Sequence, residues 1–119
     1  MPLESYQNLK TWQLGTRVAR LCYQLTRQFP KDELFGASSQ IRRASSRIPA
    51  NIAEGYGRGH RGEYLQFHRI AYGSLRELET LLIVSARVGL TYEEDTVPIL
   101  TLCDEEGRML LAQIRSLEI

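Results

Sequence analysis

The chain has 119 residues, 43% of them hydrophobic and 24% charged, ordinary values for a globular protein and enough for one domain with its own core. No apolar run approaches the roughly 18 residues that cross a bilayer, and the start MPLESYQNLK lacks the cationic-then-apolar order of a secretory leader, so a cytoplasmic protein is expected. The net charge of +1 conceals a division: residues 1–62 hold ten Lys and Arg against four Asp and Glu, and residues 63–119 hold five against ten.

Hydrophobic spacing predicts four helices and no strand. The first spans about Asn8 to Gln28, with a stripe of Leu14, Val18, Leu21 and Leu25 flanked by Trp12, Cys22 and Phe29, and Pro30 ends it. The second runs from Ser38, an N-cap by residue type, to Gly55 or Gly57, with Ile41, Ala44, Ile48 and Ile52 on its apolar face. The third spans Glu63 to Val88 and stops at Gly89; Tyr64, His68, Ala71, Leu75, Leu78, Leu82 and Ser85 repeat in steps of four and three, a heptad seam. The fourth opens near Thr96 and Pro98, the latter read as a first-turn proline, and continues the pattern through Leu100, Cys103, Gly107, Leu110, Ile114 and Leu117. The linkers, about 30–37, 57–62 and 89–95, are short enough to force neighbouring helices antiparallel. The predicted fold is all-α: one up-down-up-down four-helix bundle over residues 1–119.

The second helix carries a contradiction. Its sequence, QIRRASSRIPANIAEGYGRG, is helical in spacing yet contains Pro49, which costs about 3 kcal/mol relative to alanine in an exposed helix interior. A kink is expected at Pro49, with the hydroxyls of Ser45 and Ser46 close enough to serve the freed backbone carbonyl. Ala44, Ser45, Ala50, Ala53 and Gly55 would let this helix approach the third closely, at Ala71, Gly73 and Ser74. Glu54 falls near the negative end of the helix dipole and needs a cation: Arg47, Arg58, Arg69 or Arg76. Asn51 reads as a buried hydrogen-bonding residue that fixes the packing. Pro49, Asn51 and Glu54 thus form a structural or interface group.

The stretches FPKDELFGASSQIRRASSRIPANIAEGYGRG and EYLQFHRIAYGSLRELETLL resemble the four-helix-bundle proteins encoded by intervening sequences in bacterial 23S rRNA genes. The similarity runs from Trp12 to the last helix; Ala37-Ser38 stands where that family would show Leu-Thr. The resemblance implies a small cytoplasmic bundle that assembles into a ring, a homopentamer, with no established activity. A more distant likeness, to the accessory proteins of diversity-generating retroelements, implies a basic ring that engages RNA and a reverse transcriptase.

Thirteen of the fifteen basic residues are arginine, whose planar fork suits phosphate or carboxylate. Arg42, Arg43, Arg47, Arg58, His60 and Arg61 are the candidate nucleic-acid ligands. The last three lie in the turn GYGRGHRG, where backbone amides suit a phosphate, with Tyr56 beside them for stacking on an unpaired base. The competing reading pairs these arginines with Glu63, Glu77, Glu79 or Glu105, or uses them to hold subunits together, leaving a protein-interaction scaffold without nucleic-acid binding. The run GYGRG follows a helix, so it is no dinucleotide fingerprint. Trp12, Tyr64 and Tyr72 are expected to be exposed aromatics that favour self-association.

Catalysis finds little support in the residue types. No Glu-x-x-His occurs to build a di-iron bundle site, and no serine sits in a nucleophile elbow. His60 and His68 are the two histidines; His68, on the third seam, reads as a satisfied core or interface residue. Cys22 and Cys103 fall on apolar stripes and read as buried thiols. No catalytic residue, metal, cofactor, small-molecule substrate or membrane is expected; the one catalytic alternative is a ribonuclease using His60 with Arg58 or Arg61.

Overall fold

Four apolar stripes close on one another in the computed structural model, which describes residues 5–119. After a short 3-10 turn at Tyr6–Asn8 come α1 (Lys10–Thr26), a second 3-10 turn at Lys31–Glu33, α2 (Ala37–Arg58), α3 (Arg61–Arg87) and α4 (Glu93–Leu117). No strand occurs among the described residues. Each helix packs on the two that adjoin it, α4 returning to α1, and diagonal helices do not approach, so the cross-section is a square. The long dimension of 43 Å is that of one long helix, since 27 residues at about 1.5 Å each reach roughly 40 Å.

The third seam is buried as the spacing predicts, from His68 through Ala71, Leu75, Leu78 and Leu82 to Ser85, with Tyr64 half-buried at its start. The other seams are displaced. On α1 the buried line is Gly15, Val18, Cys22 and Leu25, while Leu14 and Leu21 are only half-buried on its flank. On α4 the line passes through Thr96, Ile99, Cys103, Glu106, Gly107, Leu110 and Ile114, and Leu100 and Leu117 lie at its edge. The two displacements answer each other. A Cβ on Gly15 would stand 2.9 Å from Glu106 Oε2, 3.4 Å from Ile48 Cγ2 and 3.5 Å from Pro49 Cδ, so the missing side chain makes room for a buried glutamate.

Several boundaries shift for identifiable reasons. Ser38 does not cap α2: the cap is Gly36, the Ala37 amide donates to Glu33 Oε1 at 3.3 Å, and Ser38 lies buried in the first turn. The helix runs unbroken through Pro49 to Arg58 and ends where Gly59 takes φ of 66°, a left-handed conformation that glycine adopts without steric cost. Pro98 is inside α4, not in its first turn, because the helix starts earlier, at Glu93. Acidic Glu93, Glu94 and Asp95 occupy that first turn, where they complement the positive end of the dipole.

The close approach of α2 and α3 is real, and theirs is the most extensive interface in the bundle. A Cβ on Gly55 would fall 2.7 Å from Phe67 Cβ and 3.3 Å from Tyr64 Cδ1, so only glycine fits there. Gly73, expected on the same seam, faces open space. Trp12 and Tyr72, expected to be exposed, are half-buried against the core, and Tyr64 is half-buried as well. The more exposed apolar side chains include Phe35 at 92%, Val88, Tyr92, Val84 and Val97, at the end of the bundle where α1–α2 and α3–α4 are joined, and Ile119 at the other end.

Candidate nucleic-acid interface

The six predicted ligands do not form one site. Arg58, His60 and Arg61 stand at the α2–α3 turn, whereas Arg42 is sixteen residues up α2 from Arg58, roughly 24 Å away along the helix. At the turn, Gly55, Tyr56, Gly59, His60, Arg61 and Tyr64 line a groove of about 220 Å³, so Tyr56 and two of the basic groups do converge. The basic groups there are partly engaged. Arg58 pairs with Glu54 at 2.9 Å, lies 3.8 Å from Glu63, and covers the Phe67 ring. Arg61 donates to the carbonyls of Leu117 and Ile119 at 3.1 and 2.7 Å, tying the turn to the end of α4. His60 is the exposed residue preceding α3.

Along α2, Arg42 is half-buried, with Nε donating to Thr26 Oγ1 at 2.8 Å and the guanidinium over Tyr23. Arg43 and Arg47 are exposed. Sequence proximity had grouped the arginines of α2 with those of the turn, and so passed over α1. The bundle places Arg17, Arg20 and Arg27, all exposed, on the neighbouring helix. Among the described residues, none of these five exposed guanidinium groups, on α1, at its C-cap or on α2, has a hydrogen bond or ion pair. The acids of residues 63–119 ride instead on α3, on α4 and just past its end, where Arg76–Glu79 and Arg108–Asp104 pair within a helix and Arg69–Glu118 ties α3 to the end of α4. The charge division in the sequence is therefore a division between two halves of the bundle. Scanning the first predicted helix for arginines off its apolar stripe, at i, i+3 and i+10, would have found Arg17, Arg20 and Arg27.

The structural group resolves residue by residue. Of the cations offered to Glu54, Arg58 is the partner. Asn51 is half-buried and folds back on its own helix, Nδ2 donating to Arg47 O at 2.7 Å, so it does not fix the packing from within the core. Neither serine hydroxyl serves the carbonyl that Pro49 frees: Ser45 donates to Arg42 O at 3.0 Å and Ser46 faces Tyr23 OH at 3.5 Å. Pro49 itself is buried against the α1–α4 side, beside the place where Gly15 lacks a side chain.

Four buried groups carry unusual proton affinities. Burial pushes the Glu106 carboxyl up to about 8, with the charge of Glu105 adding to it, and neither Glu106 oxygen has a hydrogen-bond partner. His68 Nδ1 lies 2.9 Å from Tyr64 O while its buried Nε2 is unpartnered, so it is a half-satisfied core histidine. Burial lowers its pKa, against a smaller opposing effect of that contact. Cys22 is buried and free, its thiol pushed up to about 12 by burial, and Cys103 is buried and shifted the same way, chiefly by burial. Such thiols are poor nucleophiles and poor ligands at neutral pH. Among the described residues no three of His, Cys, Asp and Glu stand together as a metal set, and no helix is long and apolar enough to cross a membrane.

Residues 7–112 match the family described as 23S rRNA-intervening sequence protein. A crystal structure of a protein of unknown function from the S23 ribosomal protein family of Bacteroides thetaiotaomicron superposes with a TM-score of 0.72 at 25% identity, covering 88% of this chain and 94% of that one. No curated protein matches the chain.

Proposed function

The chain belongs to the 23S rRNA-intervening sequence protein family, and from that premise we propose that it is a non-enzymatic, oligomeric bundle that binds RNA, or a protein that handles RNA, through the basic half formed by α1 and α2. The observation that carries the reading is the set of unpaired, exposed arginines Arg17, Arg20, Arg27, Arg43 and Arg47 on two adjacent helices. Unpaired guanidinium groups release counterions when they meet phosphates. A ring of subunits repeats the patch and multiplies a modest affinity. At the far end, Tyr56, His60 and Arg61 offer a second contact, with the ring of Tyr56 for stacking.

The opposite signs of the two halves also favour a second reading. A basic α1–α2 face on one copy is complementary to an acidic α3–α4 face on the next, and head-to-tail contacts of this kind close into rings. In that reading the arginines assemble a protein-interaction scaffold, a homopentamer by the family likeness, and bind no nucleic acid.

Light scattering on the purified protein separates the two, with and without a structured RNA and across a salt series. The RNA reading expects a complex whose affinity falls steeply with salt. A ring that forms but ignores RNA at low salt would sink it and leave the scaffold.

A further inference from the structure

A pocket of about 380 Å³ opens where the end of α1, the connection to α2 and the first turns of α2 meet. Arg42 is its fixed member. Nε donates to Thr26 Oγ1 at 2.8 Å, Thr26 is itself anchored on Cys22 O at 2.9 Å, and the guanidinium lies 5.1 Å from the Tyr23 ring centre. Those contacts occupy the Nε edge and one face, and leave both Nη groups without a partner inside the chain. Arg27 and Lys31 line the same pocket, bringing two exposed cations to one that is held in place.

Ser38 adds a hydroxyl to the lining. The residue is 2% exposed, and its hydroxyl has no hydrogen-bond partner among the described residues yet is not one of the sealed unpartnered atoms, so its small exposure opens on the pocket. It also sits in the first turn of a 22-residue helix, where the amides of residues 38 and 39 have no acceptor in the helical ladder and the dipole favours an anion. The neighbouring carboxylate, Glu33, is used on the Ala37 amide and does not line the pocket. The polar lining is rich in donors, which selects an oxyanion of high charge, and Phe29, Pro30 and Leu34 complete it with an apolar wall suited to an organic substituent.

We propose that this pocket binds the phosphate group of a phosphate monoester, with the two Nη groups of Arg42 forking onto it, Arg27 and Lys31 neutralising it, and the Ser38 hydroxyl donating to it. The monoester is either the 5′ end of an RNA strand or a free phosphorylated compound. The assignment does not rest on the RNA reading above, because the same donors serve either source.

The experiment is an NMR titration of the full chain with adenosine 5′-monophosphate beside plain adenosine. The expected result is a saturable shift of the Ser38 amide and the Arg42 Nε–H with the monophosphate alone. Arg42→Lys keeps the charge but loses the fork and the Thr26 anchor, and weakens binding about tenfold. Since Arg42 is half-buried, the exposed variant Arg27→Gln is measured too and is expected to weaken binding in a chain whose fold is untouched. Arg115→Gln, exposed on α4 and outside the pocket, leaves affinity unchanged. Equal shifts with adenosine, or shifts spread without saturation over the arginines of both helices, would overturn the site, as would an equal loss in Arg115→Gln. With the site in hand, 5′-phosphorylated and 5′-hydroxyl RNA of one sequence identify the source. Preference for the phosphorylated strand assigns the pocket to RNA ends; no preference assigns it to a small compound. If no RNA binds at all, the RNA reading fails and this site stands.

Discussion

Glu106 shows what a single side chain contributes here, because its carboxyl is sealed among Gly15, Ile48 and Pro49 with neither oxygen paired. Its pKa rises from 4.5 to about 8 on folding. The folded state therefore holds a proton that the unfolded chain has lost, and stability declines as pH climbs between those values. The slope is about 1.4 kcal/mol per pH unit between them; the contribution is complete below pH 4.5 and spent above the folded value. His68 acts in the other sense: with its pKa lowered from 6.5, its contribution is present above that value and lost as pH falls through the folded one. Urea unfolding of the wild type is expected to weaken from pH 6.5 to pH 8, where the His68 contribution is full and no longer changes with pH, and Glu106→Gln is expected to remove most of that decline. A decline of the same size in the variant would place the proton elsewhere. The charged groups nearest this region are Glu105 on α4 and, from α3, Glu79 and Arg76; Arg76 Nη2 comes within 3.8 Å of a Cβ placed on Gly107.

At the scale of the helix, glycines in one stretch behave oppositely. Gly55 meets Phe67 Cβ at a virtual 2.7 Å, whereas Gly57, two residues on and still helical, meets nothing within 4 Å. Gly57→Ala should stabilise by about 0.5–1 kcal/mol, since the backbone gains propensity at no steric cost. Gly55→Ala should destabilise by about 1–3 kcal/mol despite the same gain. Phe67→Ala would not rescue it, because the collision is with a Cβ that alanine retains; thermal melts of the two single variants and the double variant check all of this. These helices also show what the sequence makes legible. The α3 seam is readable because its core positions other than His68, Ser74 and Ser85 are apolar. The α1 and α4 seams cross at Gly15 and Glu106, residues that a count of apolar positions scores as absent, so the prediction slid to the nearest leucines. The α2–α3 approach was legible from small residues, but which glycine matters was not, since Gly55 and Gly73 are alike until the neighbouring helix is placed.

For the whole molecule, the relevant quantity is the separation of charge between halves, and it was half legible. Counting residues 1–62 against 63–119 exposed the division. Which arginines are unpaired required the fold, because Arg58 and Arg61 are engaged locally while Arg20 and Arg27 are not. Reversing Arg20 and Arg43 to Glu, one on each basic helix, is expected to lower RNA affinity by about tenfold or more at low salt and to flatten its salt dependence by about two charges. Fold and melting temperature should hardly change, as neither side chain has a partner to lose. Filter binding across salt checks the first part and circular dichroism the second. If the double reversal dissolves the oligomer with no RNA ever retained, the arginines serve assembly.

The glycine notch opposite Glu106 has a calorimetric consequence. Closing α1 over a carboxyl that must stay protonated makes folding at neutral pH a proton-uptake reaction, and unfolding a release of about one proton. That proton is handed to the buffer. The heat of unfolding should therefore read lower in an amine buffer, whose protonation is strongly exothermic, than in phosphate at the same pH. With a leucine in place of Glu106, the two buffers should agree more closely, and the remaining difference would measure what the other groups release.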